Sequence, residues 1–164
     1  MSNLDDAGFQ QGGARPFSIR LFARWPDMDF NQHMRNAAYL GAAEDTRMRF
    51  LADHGLSMDD FRARKIGPVV LEDRLVYRKE LTLMQRFRVE LALAASTRDA
   101  RRMKVRNTFY REDDEALVAT VESVVLWFDL ERRQPIEAPD DLKAIWLSLA
   151  RTADFAWYED GTAE

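Results

Sequence analysis

The feature that most constrains this chain is a single helical pattern, from about Asn36 to His54, placed between one short strand and a run of longer ones. Tyr39, Leu40, Ala43, Met48, Phe50 and Leu51 supply its apolar positions, and no proline interrupts it. Ala37, Ala38, Ala42 and Ala43 make one end of the rod narrow, so a sheet can wrap it closely. Gly55 is a natural stop, because glycine takes the left-handed conformation at a helix C-terminus without steric cost. His54, in the last turn, suits the helix dipole as a cation.

The rest of the chain reads as strands around that rod. Phe17 to Trp25 alternates, with Phe17, Ile19, Leu21 and Ala23 on one side and Phe22 as the exception; Pro26 ends it. Ser57-Met58-Asp59-Asp60-Phe61 looks like a capped short helix, and Gly67-Pro68 marks a turn. Strands are then expected over Pro68–Lys79, Arg86–Thr97, Arg101–Tyr110 and Glu115–Asp129, with hairpin turns at Asp99-Ala100 and Asp113-Asp114. After Pro139, Leu142, Ile145, Trp146 and Leu149 recur at helix spacing and predict a terminal helix packed on the sheet or on another subunit. Phe155, Trp157 and Tyr158 are expected to pack or to meet an interface.

One long helix with an antiparallel sheet curled around it is an α+β arrangement. Residues 1–15 read as a flexible tail, 16–152 as one domain with its C-terminal helix, and 153–164 as a second tail. An open sheet leaves edge strands to be paired or covered. A homodimer that continues the sheet, or a tetramer built on such dimers, is the expected solution.

Composition narrows the function. The net charge of −4 argues against a general nucleic-acid binder. The chain has no cysteine, which removes disulfides, thiolate nucleophiles and cysteine metal sites and fits a reducing cytoplasm. The N-terminus lacks the basic start and apolar run of a secretory signal, and no apolar stretch is long enough to cross a bilayer. A cytoplasmic protein without membrane attachment is therefore expected.

The chemistry concentrates just before the helix. Arg24 to Leu40 carries Asp27 and Asp29, Asn31 and Asn36, and His33, one of two histidines. A helix start leaves backbone N–H groups without partners and bears partial positive charge. A carboxylate held beside it can act on a polarised carbonyl. Asp27 is the weaker candidate and more plausibly orders the loop by accepting backbone N–H bonds.

Asp27-x-Asp29-x-x-x-His33-x-x-Asn36-x-x-Tyr39-Leu40, with Glu44 and Arg47 further along the helix, resembles the hotdog-fold acyl thioesterases of the 4-hydroxybenzoyl-CoA thioesterase type. Asp29-Phe30-Asn31-Gln32-His33 followed by Asn36 is especially similar to the acyl-ACP thioesterases. The sequence departs at Arg35, where that family has asparagine, and at Met34, where valine is common. The resemblance implies a hotdog fold and hydrolysis of an acyl-CoA or acyl-ACP thioester without cofactor or metal. It places the catalytic carboxylate on Asp29, as general base or nucleophile, and an oxyanion donor at the backbone near Asn36. Asn31 and His33 would orient the carboxylate, water or thioester carbonyl. Equally, Asn31 can be a turn residue, and His33 can fasten the loop to the helix.

Substrate-binding candidates are Arg35, which could contact a carrier phosphate, and Tyr39, whose ring also suits core packing. Arg101 and Arg102 belong to a basic stretch with Arg98 and Lys104; this could hold coenzyme A phosphates or an acidic carrier protein, or simply be a solvated hairpin. Glu44 reads as a buried or interface polar group paired with Arg47 or Arg49. Two rivals share the fold. An enoyl-acyl hydratase or dehydratase would place aspartate, asparagine and histidine one residue further apart than Asp29, Asn31 and His33 stand. An acyl-binding protein without catalysis would not need Asp29 and His33 together.

Overall fold

The computed structural model describes residues 15–158, so most of the expected N-terminal tail and the last residues of the C-terminal one lie outside it. The chain runs β1 (Phe17–Phe22), α1 (Asn36–Asp53), α2 (Met58–Arg64), β2 (Ile66–Tyr77), β3 (Arg86–Ser96), β4 (Arg102–Arg111), β5 (Leu117–Asp129), β6 (Gln134–Pro135), α3 (Asp140–Leu147) and β7 (Arg151–Trp157). The five longest antiparallel partners lie in the order β1-β3-β4-β5-β2. The sheet packs its inner face on α1, which is the hotdog arrangement the resemblance implies.

Alternation explains the wrap. On the inner face Leu91, Asn107, Val121 and Leu75 lie side by side across four strands, and Leu93, Val105, Ser123 and Asp73 form the neighbouring row. Helix α1 turns Tyr39, Ala42, Ala43, Thr46, Arg47, Phe50 and Leu51 toward them. The two alanines let the sheet approach the rod, and Ala43 is fully covered. Apolar packing forms two clusters, one around Phe50, Leu51, Trp127, Leu142 and Trp146, the other around Tyr39, Phe87, Phe109 and Val121. Burying each such large side chain contributes about 2 kcal/mol.

The ends of α1 and α2 follow their sequence signals. Gly55 has a positive φ of 81°, as a left-handed stop requires. His54 Nδ1 lies 2.8 Å from the Phe50 carbonyl, and its ring packs on Phe50. The Ser57 hydroxyl accepts the Asp60 N–H, and the Asp60 carboxylate accepts the Ser57 N–H in return.

Three expectations need correcting. The first strand stops at Phe22, and Trp25–Asp27 form a 3-10 turn with Pro26 inside it. Gly67-Pro68 lies within β2; the turn is made by Lys65, which takes the left-handed conformation. Pro68 is tolerated because its partner Trp127 gives its N–H to Arg101 and accepts from Ile136, so the β2–β5 ladder needs no donor at that position. Finally, residues 153–157, expected in a tail, belong to β7, which pairs parallel with the far half of β3 through Leu93–Arg151 and Ser96–Trp157. The acidic and aromatic composition hid this strand. Phe155 packs on the first core cluster, and Trp157 is flanked by the guanidinium groups of Arg98 and Arg151.

Candidate active site

The loop between β1 and α1 is held by backbone chemistry. Asp27 is buried, and its carboxylate accepts the Arg24 backbone N–H, Nε and Nη2, each at 2.9 Å. Those bonds hold its carboxyl below the usual carboxylate range. With both oxygens engaged, Asp27 orders the loop. Its own carbonyl accepts the Arg35 N–H at 2.9 Å, drawing the loop's two ends together. The Met34 N–H reaches the Leu81 carbonyl at 2.7 Å, and His33 bridges to Thr82, so the β2–β3 connection braces the loop from outside.

Within that frame Asp29 to Gln32 is a tight turn. The Gln32 N–H donates to the Asp29 carbonyl at 3.1 Å, and Gln32 has a positive φ of 66°. Asp29 Oδ1 accepts two backbone N–H groups, from Asn31 at 2.8 Å and His33 at 3.1 Å. No donor among the described residues bonds the other oxygen. Asp29 is half-buried and lines a cavity of about 570 Å³ with Trp25, Pro26, Met28, Gln32 and Leu83. A carboxylate with one oxygen fixed and one free, in a cavity with apolar walls, suits a general base or nucleophile.

Asn36 opens α1, and its side-chain oxygen accepts the Ala37 N–H at 2.8 Å. The Ala38 N–H goes to the Arg35 carbonyl. Among the described residues no acceptor meets the Asn36 backbone N–H, one of the orphan donors of a helix start. Ala37 and Ala38 of this first turn, though not Asn36 itself, line a second cavity, about 280 Å³, with Arg24, Asp27, Met34 and Arg35. The segment Arg24–Met28 lies between the two: Arg24 and Asp27 line the second, Trp25, Pro26 and Met28 the first. Asp29 and the helix start are neighbours on either side of one segment and share no single cavity within the chain.

The other candidates divide. Asn31 and His33 are exposed, and neither side chain makes a hydrogen bond among the described residues; both support Asp29 through their backbone N–H groups. Tyr39 is 1% exposed and lines neither cavity. Its ring packs edge-on against Tyr77 and Phe109, and burial pushes its hydroxyl up to about 12, so its place is in the core. Arg101 and Arg102 sit at the β3–β4 turn, a full strand away from the loop bracing Asp29. Arg101 pairs with Asp99 at 3.4 Å, and Arg102 lies over the Tyr158 ring. The chain does not bring either arginine to Asp29. Glu44, expected to be buried or at an interface and paired with Arg47 or Arg49, is instead exposed in the chain; Arg49 pairs with Asp53, and Glu44 forms no ion pair with either arginine among the described residues.

Sequence reasoning missed the β2–β3 connection. Leu83 and Met84, at the apex of its turn, are exposed, like Trp25 and Phe30 near Asp29. No local pattern marks them, because tertiary bridges alone bring the two turns together. Among the described residues, no group of three or more His, Cys, Asp or Glu could hold a metal, and no helix is long and apolar enough to cross a membrane.

Solved structures share this architecture. A Staphylococcus aureus hypothetical protein, SAV2348, characterised in complex with CoA, matches with a TM-score of 0.75 at 24% identity, over 92% of this chain and 94% of that one. Slr0204, a 1,4-dihydroxy-2-naphthoyl-CoA thioesterase from Synechocystis, matches with a TM-score of 0.73 at 13% identity, over 80% and 95%. YbaW, a probable thioesterase from Escherichia coli, matches with a TM-score of 0.68 at 19% identity, over 82% and 99%. No curated protein sequence matches the chain. Residues 23–146, from the end of β1 into α3, fit the sequence profile of a known family, and on that match the chain belongs to the thioesterase-like superfamily.

Proposed function

We propose that this protein hydrolyses an acyl-CoA thioester to free acid and thiol, with Asp29 as general base or nucleophile. The observation that carries the reading is the state of Asp29: Oδ1 is pinned by two backbone N–H groups, no donor among the described residues bonds the second oxygen, and the residue lines a cavity. The Asn36 N–H, at the positive end of α1, is the donor for the oxyanion that forms on the thioester carbonyl. The CoA complex of SAV2348 favours coenzyme A over an acyl carrier protein. Arg35, beside the second cavity, is the cation available to a carrier phosphate, since Arg24 is held by Asp27.

The working unit we propose is a homodimer paired along the outer edge of β2. That edge is twelve residues long, unpaired among the described residues, and exposes Val70, Leu71 and Tyr77. A partner there adds walls to a site whose two parts, Asp29 and the Asn36 N–H, share no single cavity in one chain.

Thiol release from a panel of acyl-CoAs tests the reading. Asp29→Asn is expected to lower kcat at least a hundredfold, because the amide can neither take a proton nor attack. His33→Ala should leave most activity, since only its backbone N–H touches Asp29. Full activity in Asp29→Asn, on any substrate the native protein hydrolyses, would remove the mechanism.

A further inference from the structure

Arg47 is a largely buried charge with one side-chain hydrogen bond among the described residues, and it borders a cavity. It lies about three turns beyond Asn36 on α1 and is 7% exposed. Its Nη1 donates to Ser123 Oγ at 2.8 Å, and that hydroxyl donates to Asp73 Oδ1 at 2.5 Å. Among the described residues no carboxylate forms a direct ion pair with it; Asp73 and Glu44 act on it through space, while burial pulls its pKa down. Buried charges are ordinarily paired and fully hydrogen-bonded, and a guanidinium offers five N–H donors.

The same arginine lines a cavity of about 240 Å³ between α1 and β2. Leu51, Val70, Val125 and Trp146 give that cavity an apolar wall, and Glu44 is the only other charged residue on it. The charge balance selects the ligand. Asp73, one hydroxyl away from the guanidinium, and Glu44, on the cavity lining, already set two carboxylates around this one cation, so a third negative group entering would be repelled. A neutral oxygen accepts from the guanidinium without that penalty.

We infer that this cavity receives the far end of the acyl group and that Arg47 selects acyl groups carrying a neutral oxygen there, a hydroxyl or carbonyl remote from the thioester. The inference rests on the thioesterase reading and names its substrate class. Arg47 stands roughly 16 Å along the helix axis from Asn36, so the oxygen belongs near the end of a medium-length chain. Ser123 and Asp73 are positioning residues that hold the guanidinium at the wall.

The test compares octanoyl-, decanoyl- and dodecanoyl-CoA with their ω-hydroxy and ω-carboxy counterparts. In the native protein kcat/KM should favour the ω-hydroxy ester about tenfold over the plain ester at one or more lengths, with the ω-carboxy ester poorest. In Arg47→Met the ratio should fall to about one, and in Ser123→Ala it should fall part of the way. No preference at any length, or a preference that survives both substitutions, overturns the inference and leaves the hydrolase reading standing. Calorimetric binding of the matching S-alkyl-CoA thioethers, which cannot be hydrolysed, separates the two. A hydroxyl preference in binding without turnover of any ester supports the cavity's role while removing the hydrolase.

Discussion

Asn107 sits on the inner face of β4, fully buried, with neither amide atom hydrogen-bonded within the described residues. Leu91 and Val121 flank it on the neighbouring strands, and it belongs to neither apolar cluster. A buried amide left unpaired costs about 1–3 kcal/mol, so Asn107→Leu should raise stability by about 1 kcal/mol in urea unfolding. Destabilisation instead would show that a bound water satisfies the amide in solution. Residues of this kind mark how far the sequence could be read. Asp29 was singled out by the resemblance, whereas the loop-ordering role of Asp27 was legible because its chemistry is local: the carboxylate bonds a backbone N–H three residues away. Arg47, Ser123 and Asp73 were not, because three distant segments meet only once the sheet has closed over α1.

Elements were legible wherever a period or a cap declared them. Helix α1, its glycine stop and the Ser57 cap follow from side-chain spacing and backbone geometry. Ser57→Ala should cost about 1 kcal/mol by releasing the Asp60 N–H, measurable as a lower denaturation midpoint. Strand β7 escaped because distant partners support it: besides its ladder to β3, Arg106 on β4 grips Asp154 on β7 and Glu122 on β5 together. The hydrogen bonds from Arg106 hold the Asp154 carboxyl down at about 2. The folded protein therefore binds this proton less tightly than the unfolded chain. The pair stabilises above the ordinary value of 3.8 and is lost as pH falls toward 2. Asp154 is largely exposed, so its worth is about 0.5 kcal/mol. Asp154→Asn should flatten the acid limb of the stability curve by that amount between pH 4 and 2.

For the whole molecule, the open edge of β2 sets the prediction. Leu71 sits in a bulge between Val70 and Glu72 and is 54% exposed. Leu71→Lys should shift a dimer toward monomer in analytical ultracentrifugation and remove the concentration dependence of the thermal midpoint. Activity should fall in parallel if the partner completes the site. The architecture of helix and sheet could be anticipated from one sequence, because period and order fix it. The bracing of the Asp29 turn by Leu81 and Thr82 could not, since it depends on contacts that no stretch of residues encodes by itself.

Strand β7 also has a consequence for biosynthesis. Leu93 finds Arg151 only after β4, β5, β6 and α3 have been made, so the far half of β3 waits through that stretch of translation with one side bare. Parallel pairing across such a separation closes slowly. Stop codons placed before Arg151 should therefore leave a sticky nascent product, and a C-terminal fusion joined without a spacer should slow maturation more than an N-terminal one.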